Sequence, residues 1–138
     1  MHFKKLFTLS VIALSLFVLG TATSRADGEG GVSHIDQKDI KLPKMSPQLR
    51  LGKMAYNVYC AACHGKNASG TVSGPTFIQQ IYFPGHHPNG SFYRAAKQGV
   101  QAHHWEFGNM PKVDDITDTL IARITNYIRA IQQANGIF

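Results

Sequence analysis

The apolar residues of this 138-residue chain recur mainly with the period of an α-helix, and the alternation typical of strands is almost absent. Near the C-terminus an apolar side chain stands at every third or fourth position, which predicts an amphipathic helix. Its stripe consists of Ile121, Ile124, Ile128 and Ile131, with Leu120 and Tyr127 beside them. The same spacing leads up to residue 60, at Leu51, Met54, Ala55 and Val58. The pattern therefore predicts an all-α protein of three to five short helices.

Capping residues mark where these helices begin and end. Pro47 directly follows a serine, and a proline suits the first position of a helix behind such an N-cap. A shorter helix is predicted between the other two, over residues 91–98. The predicted N-caps are Ser46 and Thr117, and the terminating residues are Gly99 and Asn135-Gly136.

The first 26 residues have the three parts of a secretory signal peptide. Lys4 and Lys5 precede a predominantly apolar run at residues 6–19, and the stretch GTATSRA supplies small residues for cleavage after Ala26. The run is short for a membrane span, although an uncleaved anchor is the alternative. We therefore expect a chain that is exported to the periplasm and keeps no permanent membrane anchor.

Removal of the signal peptide changes the charge of the chain. The formal net charge falls from +6 to +3, because Lys4, Lys5 and Arg25 leave with it. Such weak basicity in an exported protein gives no reason to expect a nucleic-acid partner. Residues 27–45 are polar and glycine-rich without sustained periodicity, so they are predicted to form a flexible arm. Residues 46–138 are predicted to form the compact domain.

The only two cysteines lie in the stretch YCAACHGKN, residues 59–67, three positions apart and directly before His64. A disulfide between them would close a very small loop and contribute little stability. A catalytic dithiol favours a βαβ setting, which the apolar pattern does not predict. A structural zinc site needs four ligands, and the adjacent Cys63 and His64 are awkwardly placed to share one ion.

Covalent haem attachment uses all three of these side chains. On a helical turn, Cys60 and Cys63 lie on one face, and each can form a thioether with a haem vinyl group. His64 then directs its imidazole towards the iron as an axial ligand. C-x-x-C-H is a c-type haem attachment signature, and attachment outside the cytoplasm agrees with export. The sequence therefore predicts one covalently bound haem c.

A second axial ligand is expected among the methionines. Met54 lies too close to Cys60 along the chain to reach the opposite face of the haem, and Met45 lies at the edge of the predicted domain. Met110 remains, and Pro111 behind it stiffens the loop. Filling of the core is the alternative role for this methionine. We predict that Met110 binds the iron.

Residues 46–133 resemble class I c-type cytochromes, in particular the short single-haem bacterial members. The shared positions are Gly52, Tyr56, CAACHG at 60–65, Gly74-Pro75, Trp105, Met110-Pro111 and ITNYIR at 124–129. The resemblance implies a cytochrome c fold in which the first and last helices cross, with Gly52 at the crossing, around one covalently bound haem. It also implies an electron carrier rather than an enzyme.

The same resemblance implies roles for residues around the haem. The Pro75 carbonyl would accept a hydrogen bond from the Nδ1–H group of His64. Trp105 would donate its indole N–H to a haem propionate, or to another acceptor as buried tryptophans generally do. Phe77 would pack on the haem. Asn109 would either bond to the sulfur of the methionine ligand or serve as a turn residue.

Two histidine pairs, His86-His87 and His103-His104, are not part of that family pattern. The simplest explanation is the polarity of exposed loops. Three others remain open. One histidine replaces Met110 on the iron, the pairs form a surface site for copper or zinc, or they make docking sensitive to pH.

The sequence thus favours a carrier of single electrons between redox protein partners, either a monomer or a subunit of a redox complex. One rival is a haem-based sensor or peroxidase-like domain with a labile distal ligand. Another is an electron-transfer subunit with an additional histidine-rich metal site. For a carrier, exposed lysines at the haem edge would attract acidic partners. The candidate lysines are Lys53, Lys66, Lys97 and Lys112.

Overall fold

A computed structural model describes residues 33–138, so the predicted signal peptide and residues 27–32 lie outside the described part. The described chain contains four α-helices and three single-turn 3-10 helices, and its only β-type pairing consists of two isolated bridges. The α-helices are α1 (Pro47–Tyr59), α2 (Ala61–His64), α3 (Asn89–Gln98) and α4 (Asp118–Ala134). The 3-10 helices are Gln37–Asp39, Lys66–Ala68 and Gln80–Tyr82. The predicted all-α fold is confirmed, and no helix between residues 33 and 138 is long and apolar enough to cross a membrane.

The predicted N-caps are present at both long helices. The side-chain oxygen of Ser46 accepts a hydrogen bond from the backbone N–H of Leu49 at 3.2 Å, and Pro47 is the first residue of α1. Thr117 caps α4 in the same way, with the N–H of Leu120 at 3.3 Å. Each cap satisfies a backbone donor that the first helical turn leaves without a partner.

The ends of α3 and α4 also follow the sequence signals. Helix α4 ends at Asn135, and Gly136 adopts a φ of 82°, which L-residues other than glycine rarely adopt. The N–H of Ile137 then bonds to the carbonyl of Gln132 at 2.9 Å, which completes a Schellman motif. Helix α3 begins two residues earlier than predicted, at Asn89, and ends before Gly99.

Helices α1 and α4 cross at close range, as the resemblance implies. A Cβ atom on Gly52 would lie 2.4 Å from the carbonyl oxygen of Arg123, so only glycine permits this approach. Beside the crossing, the rings of Tyr56 and Tyr127 pack with centroids 5.5 Å apart. The predicted apolar stripe of α4 faces this contact, because its four isoleucines and Tyr127 are all buried. The crossing therefore forms the centre of the core.

The face of α1 that enters the core differs from the apolar set found in the sequence. Leu51, Met54 and Val58 are exposed, and the buried positions are instead Gly52, Ala55 and Tyr56. A close crossing of two helices selects small residues and one large aromatic ring, and these outweigh the helical spacing of the aliphatic residues. The helix itself is as predicted, but its orientation on the core is not.

Residues 33–45 are part of the domain rather than a flexible arm. Ile40 is buried in the core. The N–H of Ile35 bonds to the carbonyl of Ser69 at 2.8 Å, and the carbonyl of Ser33 accepts from the N–H of Thr76 at 2.8 Å. Long-range backbone hydrogen bonds hold this segment, and a search for local periodicity does not detect them. The prediction of a flexible arm is therefore wrong for these residues.

Candidate haem-binding site

The C-x-x-C-H motif occupies the junction of α1 and α2. Cys60 separates the two helices, and its carbonyl accepts from the N–H groups of Cys63 at 3.2 Å and His64 at 2.9 Å. Both cysteines are free thiols, Cys60 half-buried and Cys63 exposed. The two thiols therefore stand on a single helical turn, the placement that two neighbouring thioether bonds require.

The motif is held against α1 from below. The hydroxyl of Tyr56 is buried and donates to the carbonyls of Gly65 at 2.7 Å and His64 at 3.1 Å. Gly65 adopts a φ of 75°, and a Cβ atom there would lie 2.3 Å from the side-chain oxygen of Ser69. The chain can thus reverse direction directly after His64, and Tyr56 satisfies the carbonyls that the reversal leaves pointing inwards.

The imidazole of His64 is oriented by Pro75. Its Nδ1 atom lies 3.0 Å from the Pro75 carbonyl oxygen, which is the contact that the resemblance implies. Because a carbonyl only accepts, Nδ1 carries the proton and Nε2 keeps its lone pair. Burial lowers the pKa of His64, so the ring stays neutral and able to bind a metal. Gly74 permits the approach of this segment, because a Cβ atom there would lie 2.9 Å from the Cys63 carbonyl oxygen.

Phe77 lies directly on the predicted iron ligand. Its ring stacks on the imidazole of His64, with centroids 4.2 Å apart and planes 24° from parallel. The edges of Tyr82 and Phe92 contact the same ring, at 5.3 Å and 5.5 Å between centroids. This aromatic packing excludes water from one side of the imidazole. The sequence prediction placed Phe77 on the haem but did not identify Tyr82 or Phe92, which carry no motif.

The thiols do not have the properties of a redox dithiol or a zinc site. Burial, together with the neighbouring Cys63 thiol, raises the pKa of Cys60 to about 12, whereas reactive dithiols have a lowered pKa. Within residues 33–138, the one group of three potential metal ligands with converging donor atoms is a set of histidines elsewhere in the chain. Cys60, Cys63 and His64 thus do not converge on one ion, which agrees with the objection raised from their spacing.

Met110, the predicted second ligand, lies on a loop fixed through its backbone. It exchanges both backbone hydrogen bonds with Val100, each at 2.9 Å, and its side chain is half-buried. Gly99 packs on the same loop, where a Cβ atom would lie 2.5 Å from the Met110 carbonyl oxygen. Asn109 acts as a turn residue, since its Oδ1 atom accepts from the N–H of Ala102 at 2.9 Å. Iron ligation by Met110 stays a prediction.

The structure gives Trp105 a partner other than the predicted propionate. Its indole N–H donates to the hydroxyl of Tyr82 at 2.8 Å. An indole has one N–H, so this hydrogen bond meets its requirement without a cofactor. Burial raises the pKa of Tyr82 to about 12, and the bond from Trp105 partly opposes the rise. Tyr82 therefore joins the Trp105 loop to the ring of Phe77.

The residues at the motif fit a haem c. Two thiols on one turn provide the attachment points, and the adjacent imidazole presents an unprotonated Nε2 atom whose orientation the Pro75 carbonyl fixes. A carbonyl behind a metal-binding histidine is the usual arrangement that sets its tautomer. The donor set is thus suited to a covalently held, axially ligated iron.

Comparison with known proteins identifies the same region. A family model described as Cytochrome c matches residues 49–132, which is more than half of the chain and includes the C-x-x-C-H motif, the Pro75 segment and Met110. No curated protein and no solved structure matched the chain. The matched segment, the helical fold and the orientation of His64 lead to one conclusion: the chain belongs to the cytochrome c family.

Proposed function

We propose that this protein is an exported single-haem cytochrome that carries single electrons, with His64 and Met110 as the iron ligands. Its family supports haem-based electron transfer. The observation that carries the proposal is the 3.0 Å contact between His64 Nδ1 and the Pro75 carbonyl oxygen, because it prepares the imidazole for iron before any metal is bound. The presence of only two cysteines supports a single haem.

The bound haem would supply a one-electron couple between ferrous and ferric iron. The chain's own residues would control that couple. Cys60 and Cys63 would hold the group covalently, and His64 would donate its Nε2 lone pair. The Pro75 carbonyl increases the basicity of the imidazole, and the stacked ring of Phe77 keeps water from it. None of these groups has to move during a redox cycle, which keeps the reorganisation small.

Met110 would complete the coordination and restrict the site to electron transfer. A thioether is a soft ligand that raises the reduction potential of a haem iron. The backbone pairing with Val100 and the close packing of Gly99 hold the loop in one place. A tightly held methionine keeps oxygen, peroxide and carbon monoxide from the metal. A sensor or peroxidase-like protein needs the opposite property.

Partner attraction would depend on fewer lysines than the sequence suggests. Lys97 forms an ion pair with Asp118 at 2.9 Å, and Lys112 pairs with Asp114 at 3.0 Å. Such pairs cancel the field that would steer an acidic partner. Lys53 and the exposed Lys66 would then contribute most of the attraction. We expect a weak decrease in the electron-transfer rate with increasing salt, measured by stopped-flow against an acidic redox protein.

The purified protein tests the proposal directly. Export would be shown by periplasmic fractionation and by N-terminal sequencing that begins at Asp27. The intact mass should exceed that of the processed polypeptide by one haem, and alkaline pyridine spectra should show thioether-linked haem. The reduced protein should bind carbon monoxide only slowly or weakly. A colourless protein would refute haem attachment, whereas rapid binding of carbon monoxide would favour the sensor or peroxidase-like alternative.

A further inference from the structure

The two histidine pairs, separated by fifteen residues in sequence, meet in the structure. We call His86, His87, His103 and His104 the histidine cluster. Across the two pairs, the ring centroid of His104 lies 5.5 Å from that of His86 and 5.3 Å from that of His87. The rings of His87 and His103 are 6.3 Å apart. Exposed loop polarity alone does not require imidazoles from two separate loops to converge.

Three of these imidazoles have the separation that a metal site needs. One ring nitrogen from each of His86, His87 and His104 lies within 4.8 Å of the other two. Ligands at about 2.0 to 2.1 Å from a tetrahedral ion stand about 3.3 Å apart, so only a small contraction is needed. His86 is exposed, and its ring can rotate to close the gap.

His87 is held in a form that can bind a metal. Its Nδ1 atom lies 2.7 Å from the carbonyl oxygen of Ile81, so Nδ1 carries the proton and Nε2 keeps its lone pair. This is the same device that Pro75 provides for His64, and a carbonyl partner of this kind is common behind metal-binding histidines. Burial, reinforced by the neighbouring His86, His103 and Arg129, lowers the pKa of His87 and keeps its imidazole neutral.

Both loops that supply the cluster are anchored through their backbones. On one side, the guanidinium of Arg129 in α4 donates to the carbonyl of His87 and to that of Tyr82 at 2.7 Å. On the other side, Asn109 accepts from the N–H of Ala102 at 2.9 Å, directly before His103. The positions of the imidazoles are therefore set by the fold and do not depend on a bound ion.

We propose that the histidine cluster binds one divalent transition-metal ion through His86, His87 and His104. Imidazole nitrogen suits both copper and zinc, and for a given set of nitrogen ligands Cu²⁺ binds more tightly than Zn²⁺. His103 lies beside this set, with its ring centroid 4.2 Å from that of His104 and its Nδ1 atom 2.8 Å from the Gln101 carbonyl oxygen. It is not one of the three proposed ligands.

Titration of the holoprotein with Cu²⁺ alone and with Zn²⁺ alone tests this site. The protein must carry no polyhistidine tag, and competition with a chromophoric chelator gives the affinities. One equivalent of Cu²⁺ should bind, more tightly than Zn²⁺, and its electron paramagnetic resonance spectrum should show coupling to imidazole nitrogen. The double variant His86→Ala with His104→Ala should lose affinity by at least about tenfold.

Two variants serve as controls for the same titration. His34→Ala removes an exposed histidine that lies outside the cluster and contacts the carbonyl of Gly70 at 3.1 Å, and it should bind Cu²⁺ normally. His103→Ala keeps the three proposed ligands and should also retain binding. Absorption and circular dichroism spectra show whether each variant is folded. Binding that survives in the double variant, or that His103→Ala abolishes, would overturn the assignment, as would the absence of any nitrogen-coordinated Cu²⁺.

Discussion

Gly52 in α1 lies so close to Arg123 in α4 that a Cβ atom on the glycine would stand 2.4 Å from the carbonyl oxygen of Arg123. Because the obstacle is backbone, the variant Gly52→Ala can be accommodated only by moving the two helices apart. We expect the free energy of unfolding to fall by about 1 to 3 kcal/mol in chemical denaturation, despite the better helix propensity of alanine.

Gly90→Ala is the matched control for this change. A Cβ atom on Gly90 in α3 would meet only the guanidinium of Arg94, at 3.4 Å, and that side chain can move. This variant should be neutral or slightly stabilising. Equal effects at Gly52 and Gly90 would contradict a close crossing of α1 and α4.

The hydroxyl of Tyr56 stabilises the C-x-x-C-H motif from within the core. Tyr56→Phe would leave the Gly65 carbonyl without its partner at 2.7 Å, whereas the His64 carbonyl would keep its bond from the N–H of Gly70 at 2.8 Å. Loss of a buried hydrogen bond should lower the free energy of unfolding by about 1 to 3 kcal/mol. Tyr59→Phe is the control, since the Tyr59 hydroxyl makes no hydrogen bond within residues 33–138, and it should change stability little.

Tyr82 should make the protein less stable at alkaline pH. Burial raises its pKa to about 12, whereas an unfolded tyrosine ionises near about 10. Between these values the unfolded chain has lost a proton that the folded chain keeps. Each pH unit then lowers the free energy of unfolding by about 1.4 kcal/mol. Because Tyr82→Phe lacks this group, its stability relative to wild type should improve between pH of about 10 and about 12. A constant difference across that range would contradict this account.

Arg129 connects α4 to the loop that carries His86 and His87. Its guanidinium donates to Asn89 at 2.9 Å, to the Tyr82 carbonyl at 2.7 Å, to Gln132 at 2.6 Å and to the His87 carbonyl. A lysine cannot reproduce this fork of donors. We expect Arg129→Lys to lower the free energy of unfolding by about 2 to 4 kcal/mol.

The neighbouring arginine of α4 provides the comparison for Arg129. Arg123 is exposed, so Arg123→Lys should leave the stability nearly unchanged. The affinity for Cu²⁺ should fall in Arg129→Lys and stay constant in Arg123→Lys, because only Arg129 holds the His87 backbone in place. Similar behaviour of the two variants would show that the guanidinium fork has no structural role.

Replacement of Met110 distinguishes an electron carrier from an open haem site. Met110→Ala should abolish the weak ferric absorption band that marks methionine–iron ligation and should permit rapid binding of carbon monoxide to the reduced protein. Met54→Ala is the control, because Met54 is 64% exposed in the middle of α1, and its spectra should match the wild type. If Met110→Ala keeps the band, another side chain must be the second ligand.

Features that depend on neighbours along the chain could be predicted well. The side-chain caps at Ser46 and Thr117 and the glycine after α4 act within four residues of the backbone groups that they satisfy. The spacing of Cys60, Cys63 and His64 likewise implies one turn of helix. The family resemblance added the crossing at Gly52, which the structure contains.

Features that depend on distant contacts were missed or misjudged. Ile40 enters the core, although its segment has no periodicity, because other parts of the chain supply its partners. The exposed Met54 and Val58 show that an apolar spacing identifies a helix but not the face that is buried. Trp105 bonds to Tyr82, a residue without any motif.

The amino-acid sequence by itself determined where a haem would be attached and where the main helices begin and end, because those properties reside in a few consecutive residues. Only the tertiary structure decided that His86, His87 and His104 converge and that Pro75 sets the tautomer of His64. These relationships join residues far apart in sequence, and the packing of helices and loops determines which of them come into contact.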